Sequence, residues 1–253
     1  MPPPEIVTAA VLVIGDEILS GRTKDKNIGY IADYLTALGI DLREVRVVPD
    51  VEEEIVAALN ALRARYTYVF TTGGIGPTHD DITADCVAKA FGVPLNHDPR
   101  AVAILKERLA KTGGELNEAR MRMTRVPQGA DLVNNKVSGA PGFWIGNVIV
   151  MAGIPAVMQG MLDDVGPKLK GGTKLLSGTI RADAKEGDVG TELGEIAKGN
   201  PDTIIGSYPF LDDKLGPNTN IVVRSRDPQK LAQVKVAVEE MLKKIKAQLA
   251  AGS

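Results

Sequence analysis

Apolar positions recur in two rhythms along this chain. Residues 9–14 form an unbroken apolar run rich in β-branched side chains, the pattern of a strand buried on both faces. Residues 27–38 place Ile28, Ile31, Ala32, Leu35 and Leu38 at helical spacing, and Gly39 ends the run. Residues 41–48 alternate through Leu42, Val45 and Val47, which predicts a strand nearer a sheet edge. Asp50-Val51-Glu52-Glu53 has the form of a capping box with Asp50 as N-cap. The helix it opens carries Ile55, Ala58, Leu59 and Leu62. Residues 68–72 are a third strand, and 84–91 a further helix. This alternation predicts an α/β fold, a doubly wound, mostly parallel sheet with right-handed crossovers.

Helical patterns follow at 99–111 and 115–123, then short strand-like pieces at 131–133 and 143–145 and a buried strand at 148–152. Asn96-His97-Asp98-Pro99 reads as a turn. Residues 155–165 are helical, with Pro155 in the first turn. Glycine and proline cluster at Gly166-Pro167 and Gly171-Gly172. They divide the chain into a domain of residues 1–167 and a smaller α+β module of residues 168–253. The module reads as strand 175–182, helix 189–198, strands 203–210 and 220–226, and a long helix 231–249. That last helix carries Leu231, Val234, Val238, Met241, Leu242, Ile245 and Leu249, widened by Val236 and Ala237. The stripe is broader than three short strands cover, which predicts self-association as a homodimer or homotrimer.

Composition narrows the partners. The net charge of −2 over 253 residues leaves no electrostatic footprint for nucleic acid. No apolar run approaches the ~20 residues of a membrane span, and the amino terminus lacks the basic region of a signal peptide. Cys86 is the single cysteine, so no internal disulfide forms, and its apolar neighbours place it in a core. A cytoplasmic protein is expected. Two histidines and one cysteine argue against a structural zinc site.

The chemistry concentrates after the third strand, in Thr71-Thr72-Gly73-Gly74-Ile75-Gly76-Pro77-Thr78-His79-Asp80-Asp81-Ile82-Thr83. Gly73, Gly74 and Gly76 bring backbone amides to a strand-to-helix turn without Cβ obstruction, a setting for phosphate. Asp80 and Asp81 beside a phosphate make sense if a divalent cation bridges them. No Lys-Ser or Lys-Thr follows the glycines, which excludes a Walker A loop, and the spacing is not G-x-G-x-x-G. If the sheet order begins 2-1-3, the loop after strand one meets this segment at the switch point. It brings Gly15, Asp16 and Glu17, so that Asp16, Glu17, Asp80 and Asp81 share one crevice and call for a cation. Plainer readings stand beside these. Asp80 or Asp81 caps the following helix, Glu17 pairs with Arg22, and His79 is a base, a phosphate contact or a surface residue.

Two motifs together resemble the MoaB/MogA/CinA molybdopterin-binding fold. They are Ile14-Gly15-Asp16-Glu17-Ile18-Leu19-Ser20-Gly21 with Asp25-x-Asn27, and Thr72-Gly73-Gly74-Ile75-Gly76-Pro77-Thr78-x-Asp80-Asp81-x-Thr83. The first has the form of the CinA branch, competence/damage-inducible protein A. The resemblance covers residues 6–165. Ser138-Gly139-Ala140-Pro141-Gly142-Phe143 and Ala152-Gly153-Ile154-Pro155 resemble two further family loops, which implies that Ser138, Gly139, Pro141, Gly142 and Gly153 rim the same crevice. Residues 173–250 loosely resemble the KH-like module of CinA, and an Asp within Gly187-Asp188-Val189-Gly190 speaks against RNA clamping. The chain ends before the amidohydrolase domain that many CinA proteins carry, so that activity is not expected.

The resemblance implies a metal-dependent hydrolase of pyrophosphate bonds in adenine dinucleotides, of the ADP-ribose or FAD type. The alternatives are a molybdopterin-binding or adenylylating protein and a non-catalytic nucleotide-binding module. The implied cofactor is Mg²⁺, Mn²⁺ or Co²⁺ on Asp80, Asp81 and Asp16, and the partner is a small adenine dinucleotide or pterin. Asp80, Asp81 and His79 are the catalytic candidates. Thr78 and Thr83 supply hydroxyls, and Asn27 orients a loop or ribose. Two departures stand out: Val157 replaces the family's usual Glu, and Met151-Ala152-Gly153 replaces Leu-Pro-Gly.

Overall fold

The computed structural model describes residues 4–214 and 216–251, and side chains through Gln248. The chain divides into two compact units, the first Glu5–Gly172 and the second beginning at Thr173.

In the first unit, β1 (Val7–Ile14), β2 (Ile40–Val48), β3 (Tyr68–Thr72) and a later strand, β8 (Val148–Met151), are parallel. Between them lie α1 (Asp16–Leu19), α2 (Asn27–Ala37), α3 (Glu52–Arg65) and α4 (Thr83–Phe91). After α4 come β4 (Leu95–His97), α5 (Pro99–Thr112), α6 (Glu118–Met121) and β5 (Arg125–Pro127). β6 (Asp131–Val133) and β7 (Gly142–Ile145) precede β8, and α7 (Pro155–Val165) follows it. The sheet order is β2-β1-β3-β8-β7-β6, with β7 and β6 antiparallel.

β1 is central because both its faces are apolar. Ala10, Leu12 and Ile14 pack in one cluster with Ile55 and Leu59 of α3 and Val87 of α4. Ala9, Val11 and Val13 pack in the other with Ile31 and Leu35 of α2 and Met158 and Leu162 of α7. Burial on both faces accounts for a continuous rather than alternating run. β2 lies at the edge and is only partly buried, as its alternation implies. Among the described residues, no helix is long and apolar enough to cross a membrane.

Local expectations need three corrections. Residues 115–123 form a short α6 and a 3-10 turn at Arg122–Thr124 instead of one helix. His97 belongs to β4 rather than a turn; it pairs with Arg125 of β5, and its Nδ1 lies 2.8 Å from the Thr124 hydroxyl. Asp50 is not a helix cap: Val51 holds the N-cap position of α3, which has no side-chain cap. The Asp50 carboxylate is instead taken by the loop after β1.

The second unit contains β9 (Leu176–Arg181), α8 (Glu186–Gly199), β10 (Ile204–Asp212), β11 (Gly216–Ser225) and α9 (Pro228–Ala251). It is the expected β-α-β-β-α unit, with an antiparallel sheet of order β10-β11-β9. Val234, Val238, Met241, Leu242 and Ile245 of α9 are buried in its own core with Ile221, Val223 and Val189. Most of the stripe is thus covered within its own unit; Val236 faces solvent, and the side chain of Leu249 lies outside the described residues.

The first unit runs five residues past the expected boundary at 167 because that tail is packed. Leu169 lies against the α2–α7 core, and the Lys170 N–H donates to the Tyr68 hydroxyl at 3.0 Å. A fragment of residues 1–172 should unfold cooperatively in urea. Trimming it to 1–167 should cost about 1–2 kcal/mol, the scale of uncovering a partly buried Leu; equal midpoints and slopes would show that the tail contributes nothing.

Candidate functional site

The site starts from a backbone contact. The Gly73 N–H donates to Met151 O at 3.1 Å, carrying the chain past the carboxyl ends of β3 and β8. Gly73 has φ +103°, and a Cβ there would run into the Ile14 carbonyl at the end of β1. Gly74 has φ +64°, and a Cβ there would meet the Thr83 hydroxyl. Both conformations suit glycine. Thr83, the first residue of α4, closes the loop: its N–H donates to Gly74 O and its hydroxyl to Gly73 O, both at 3.0 Å. Among the described residues, no protein group accepts from the N–H groups of Gly74, Ile75 or Gly76.

Further round the loop, Asp81 turns inward. Its Oδ2 accepts from the Thr78 N–H at 2.8 Å and the Thr78 hydroxyl at 2.5 Å, and the carboxylate lies over Gly76. Asp81 is therefore a clasp of the loop; neither it nor Asp80 caps α4, whose N-cap position is Ile82. His79 and Asp80 are exposed. Asp80 is held below the ordinary aspartate range, first by the Thr78 side chain, with help from the charges of His79 and Arg122. Arg122 Nη2 also donates to Asp81 O at 3.1 Å, a contact the sequence did not signal.

The loop after β1 arrives beside this segment because β1 and β3 are neighbours. The Gly15 N–H donates to Val48 O at 3.1 Å, and the Asp16 N–H to Asp50 Oδ2 at 3.0 Å. Burial is the main cause that raises the Asp50 carboxyl above its ordinary range, followed by the negative charges of Asp16, Glu17 and Asp80. The acidic neighbourhood thus includes Asp50, which the sequence had assigned to a helix cap. Glu17 makes no ion pair with Arg22 among the described residues; its carboxylate folds over Gly15.

Asn27, at the start of α2, is 4% exposed. Asp25 Oδ1 accepts from the Asn27 and Ile28 N–H groups at 3.1 and 2.8 Å and so fixes the helix start. Asn27 Nδ2 donates to Gly153 O at 2.8 Å, tying α2 to the loop after β8. A Cβ on Gly153 would lie 3.3 Å from the Gly73 Cα. A cleft of about 60 Å³ lies between these loops, lined by Glu17, Lys24, Asn27, Thr72, Gly73 and Gly153 among others. Asn27 Oδ1 and Thr72 Oγ1 are buried without a hydrogen-bond partner.

The Ser138–Gly142 segment stands further along the same sheet edge, since β7 runs antiparallel to β8 and begins where β8 ends. Asn135 Oδ1 accepts from the N–H groups of Ser138 and Gly139 at 2.7 and 3.3 Å. Gly139 packs on Arg108, Pro141 is buried, and Gly142 sits against the Val150 carbonyl. None of Ser138, Gly139, Pro141 and Gly142 lines the cleft. Val157 is buried in the α2–α7 core at 5% exposure, so an apolar contact replaces the family's Glu. A larger hollow of about 430 Å³ lies at His97, Arg100 and Gln128, and none of the expected site residues lines it. Burial pushes the Cys86 thiol up to about 12, which leaves it inert in the core.

The fold is thus a wound α/β sheet that presents loop amides without protein acceptors beside carboxylates at its carboxyl edge. A family profile described as "Probable molybdopterin binding domain" matches residues 10–171, and one described as "FAD synthase, middle domain" matches residues 174–250. The chain belongs to the molybdopterin-binding-domain family and is CinA-like. A protein of Pyrobaculum calidifontis is 32% identical over 250 residues, covering 94% of each chain. A probable FAD synthase of Caenorhabditis briggsae is 29% identical over 266 residues, covering 96% of this chain and 51% of that one. The crystal structure of the protein CinA from Thermoplasma acidophilum, a protein described as of unknown function, matches with a TM-score of 0.60 at 33% identity. It covers 64% of this chain and 98% of that one.

Two outcomes test this geometry. Gly74→Val should destabilise the first unit by on the order of 2–3 kcal/mol, from the left-handed backbone and the overlap with Thr83. Gly92→Ala, at φ +66° with open space around it, should cost only about 1 kcal/mol. Equal losses in denaturant melts would show that the Thr83 contact is unimportant. Asp50→Asn keeps an acceptor for the Asp16 N–H and removes a charge that the fold disfavours. Because the folded-state pKa is raised, ionisation costs stability above that pKa, and the cost is absent below the unfolded value of ~3.9. The variant should be more stable than wild type at neutral pH, with the gain vanishing in acid. A pH-independent difference would remove the electrostatic explanation.

Proposed function

We propose that the first unit binds the pyrophosphate of an adenine dinucleotide and hydrolyses it with a divalent cation. The coarser reading, an adenine-nucleotide-related or molybdopterin-binding role, is supported by the two family profiles and the FAD synthase relative. The observation that carries the finer reading is the loop at Gly74, Ile75 and Gly76, whose amides have no protein acceptor and lie beside an acidic neighbourhood. Unpaired amides suit phosphate oxygens. Carboxylates beside a phosphate need a cation between them.

The donor set fits such a cation when it arrives with the phosphate. Among the described residues, no group of three or more His, Cys, Asp or Glu side chains is arranged to hold a metal unaided. Mg²⁺ typically takes one or two carboxylates and completes its shell with phosphate oxygens and water. Asp80 and Asp16 are exposed and offer carboxylates, whereas Asp81 Oδ2 is committed to Thr78. When bound, the cation would polarise a phosphoryl oxygen and lower the pKa of an attacking water. The loop amides would hold the phosphates and stabilise charge that grows at phosphorus. Asn27 and Asp25 would keep the Gly153 loop in register, and His79 stands exposed beside Asp80 as a group able to contact water or phosphate.

The test is product analysis by chromatography with ADP-ribose, FAD, NADH and ATP, each with Mg²⁺, Mn²⁺ or Co²⁺. AMP and the matching phosphorylated product should appear only with metal. An adenylylated pterin formed from ATP and molybdopterin would replace this reading by the cofactor-biosynthesis one, and no product would leave a binding module. Asp80→Asn should weaken metal-supported binding about 10- to 100-fold without changing the melting temperature. Asp81→Asn should lower loop stability first. Identical behaviour of the two variants would contradict the division of roles.

A further inference from the structure

The segment between Glu17 and Lys26 forms the outer wall of the cleft, opposite Thr72, Gly73 and Gly153. Its hydrogen bonds are few and mostly internal: the Gly21 N–H donates to Ile18 O at 3.1 Å and the Thr23 N–H to Glu17 O at 2.9 Å. It is tied down by Gly15, Asp16 and the packing of Ile18 on the α2–α7 core on one side and by the Asp25 cap of α2 on the other. Lys24 and Lys26 line the cleft from this wall. Neither has an ion pair or a side-chain hydrogen bond among the described residues, although Glu17 and Asp25 line the same cleft. Two lysines thus line the cleft opposite Thr72, Gly73 and Gly153, where the buried Asn27 Oδ1 and Thr72 Oγ1 lack partners.

We infer that Lys24 and Lys26 are binding residues for a ligand with at least two phosphate charges, held from the strap side while the glycine loop holds it from the sheet side. This rests on the pyrophosphate reading above and adds the second half of its anion site. At about 60 Å³ the cleft is smaller than the several hundred Å³ of a typical ligand pocket, so the strap shifts outward as the ligand enters. Among the described residues, 19–24 make no hydrogen bond to another element, which allows this. Lys24 and Lys26 together with the carboxylates of Glu17 and Asp25 make the cleft bipolar. A multiply charged phosphate with its cation matches both sides.

Titration calorimetry with two probes, inorganic pyrophosphate and ADP-ribose, both with Mg²⁺, tests the inference. Wild type should bind pyrophosphate, and Lys24→Ala/Lys26→Ala should weaken it at least tenfold, the scale of losing charge-assisted hydrogen bonds. The salt dependence of binding should flatten in the same variant. Arg22→Ala, on the same strap but outside the cleft lining, should bind as wild type does. Both lysines are exposed, and unchanged melting temperatures would confirm intact folds. Unaltered pyrophosphate affinity in the double variant overturns the inference, as does an equal loss in Arg22→Ala or no pyrophosphate binding by wild type. If pyrophosphate binds through the lysines and ADP-ribose is neither bound nor cleaved, the anion site stands and the dinucleotide hydrolase reading fails.

Discussion

The site depends on one close approach, that of Gly73 to the carbonyl of Ile14. β1 and β3 are adjacent parallel strands, so a Cβ on Gly73 would collide with the Ile14 carbonyl where the two chains leave the sheet. A glycine in a left-handed conformation lets the β3 loop turn over the end of β1. From that turn follow the Thr83 clasp, the free amides of Gly74 to Gly76, and the seating of Gly153 on Gly73. The rest of the first unit serves this contact: both faces of β1 are buried, which holds Ile14 rigidly in place.

Charge is distributed with a similar logic. Asp16, Glu17, Asp50 and Asp80 lie close enough for three of them to raise the fourth. Such a cluster is unfavourable by itself, and the proposed cation would relieve it. Asp81 shows that adjacency in sequence does not imply a shared role. Asp80 points to solvent, while Asp81 gives an oxygen to Thr78 and so shapes the loop.

The second unit has its own core, formed by α8 and α9 over the β10-β11-β9 sheet. The wide stripe on α9 looked excessive because a linear pattern counts apolar positions without the area facing them. In the folded unit, α8 contributes Val189 and Leu193 to the core that buries Val234, Val238, Met241, Leu242 and Ile245 of α9.

The sequence by itself determined the winding of the first unit, the β-α-β-β-α order of the second, and the glycine loop as the centre of the candidate site. These rest on short-range rules: the period of apolar residues, the restricted conformations open to residues other than glycine, and strand-to-helix punctuation. Only the tertiary structure decided which polar atoms meet. Asp50 resembled a cap from its spacing to Glu53, yet a backbone N–H across the β1 loop reaches it instead. Arg122 comes to the Asp81 carbonyl from 41 residues away, and Asn27 reaches Gly153 across 126. Contacts at such separations depend on how helices and loops settle on the sheet, and no local pattern encodes them. The same holds for the boundary near Gly172, where the folded core extended past the glycine and proline signal by packing Leu169 and Lys170 onto it.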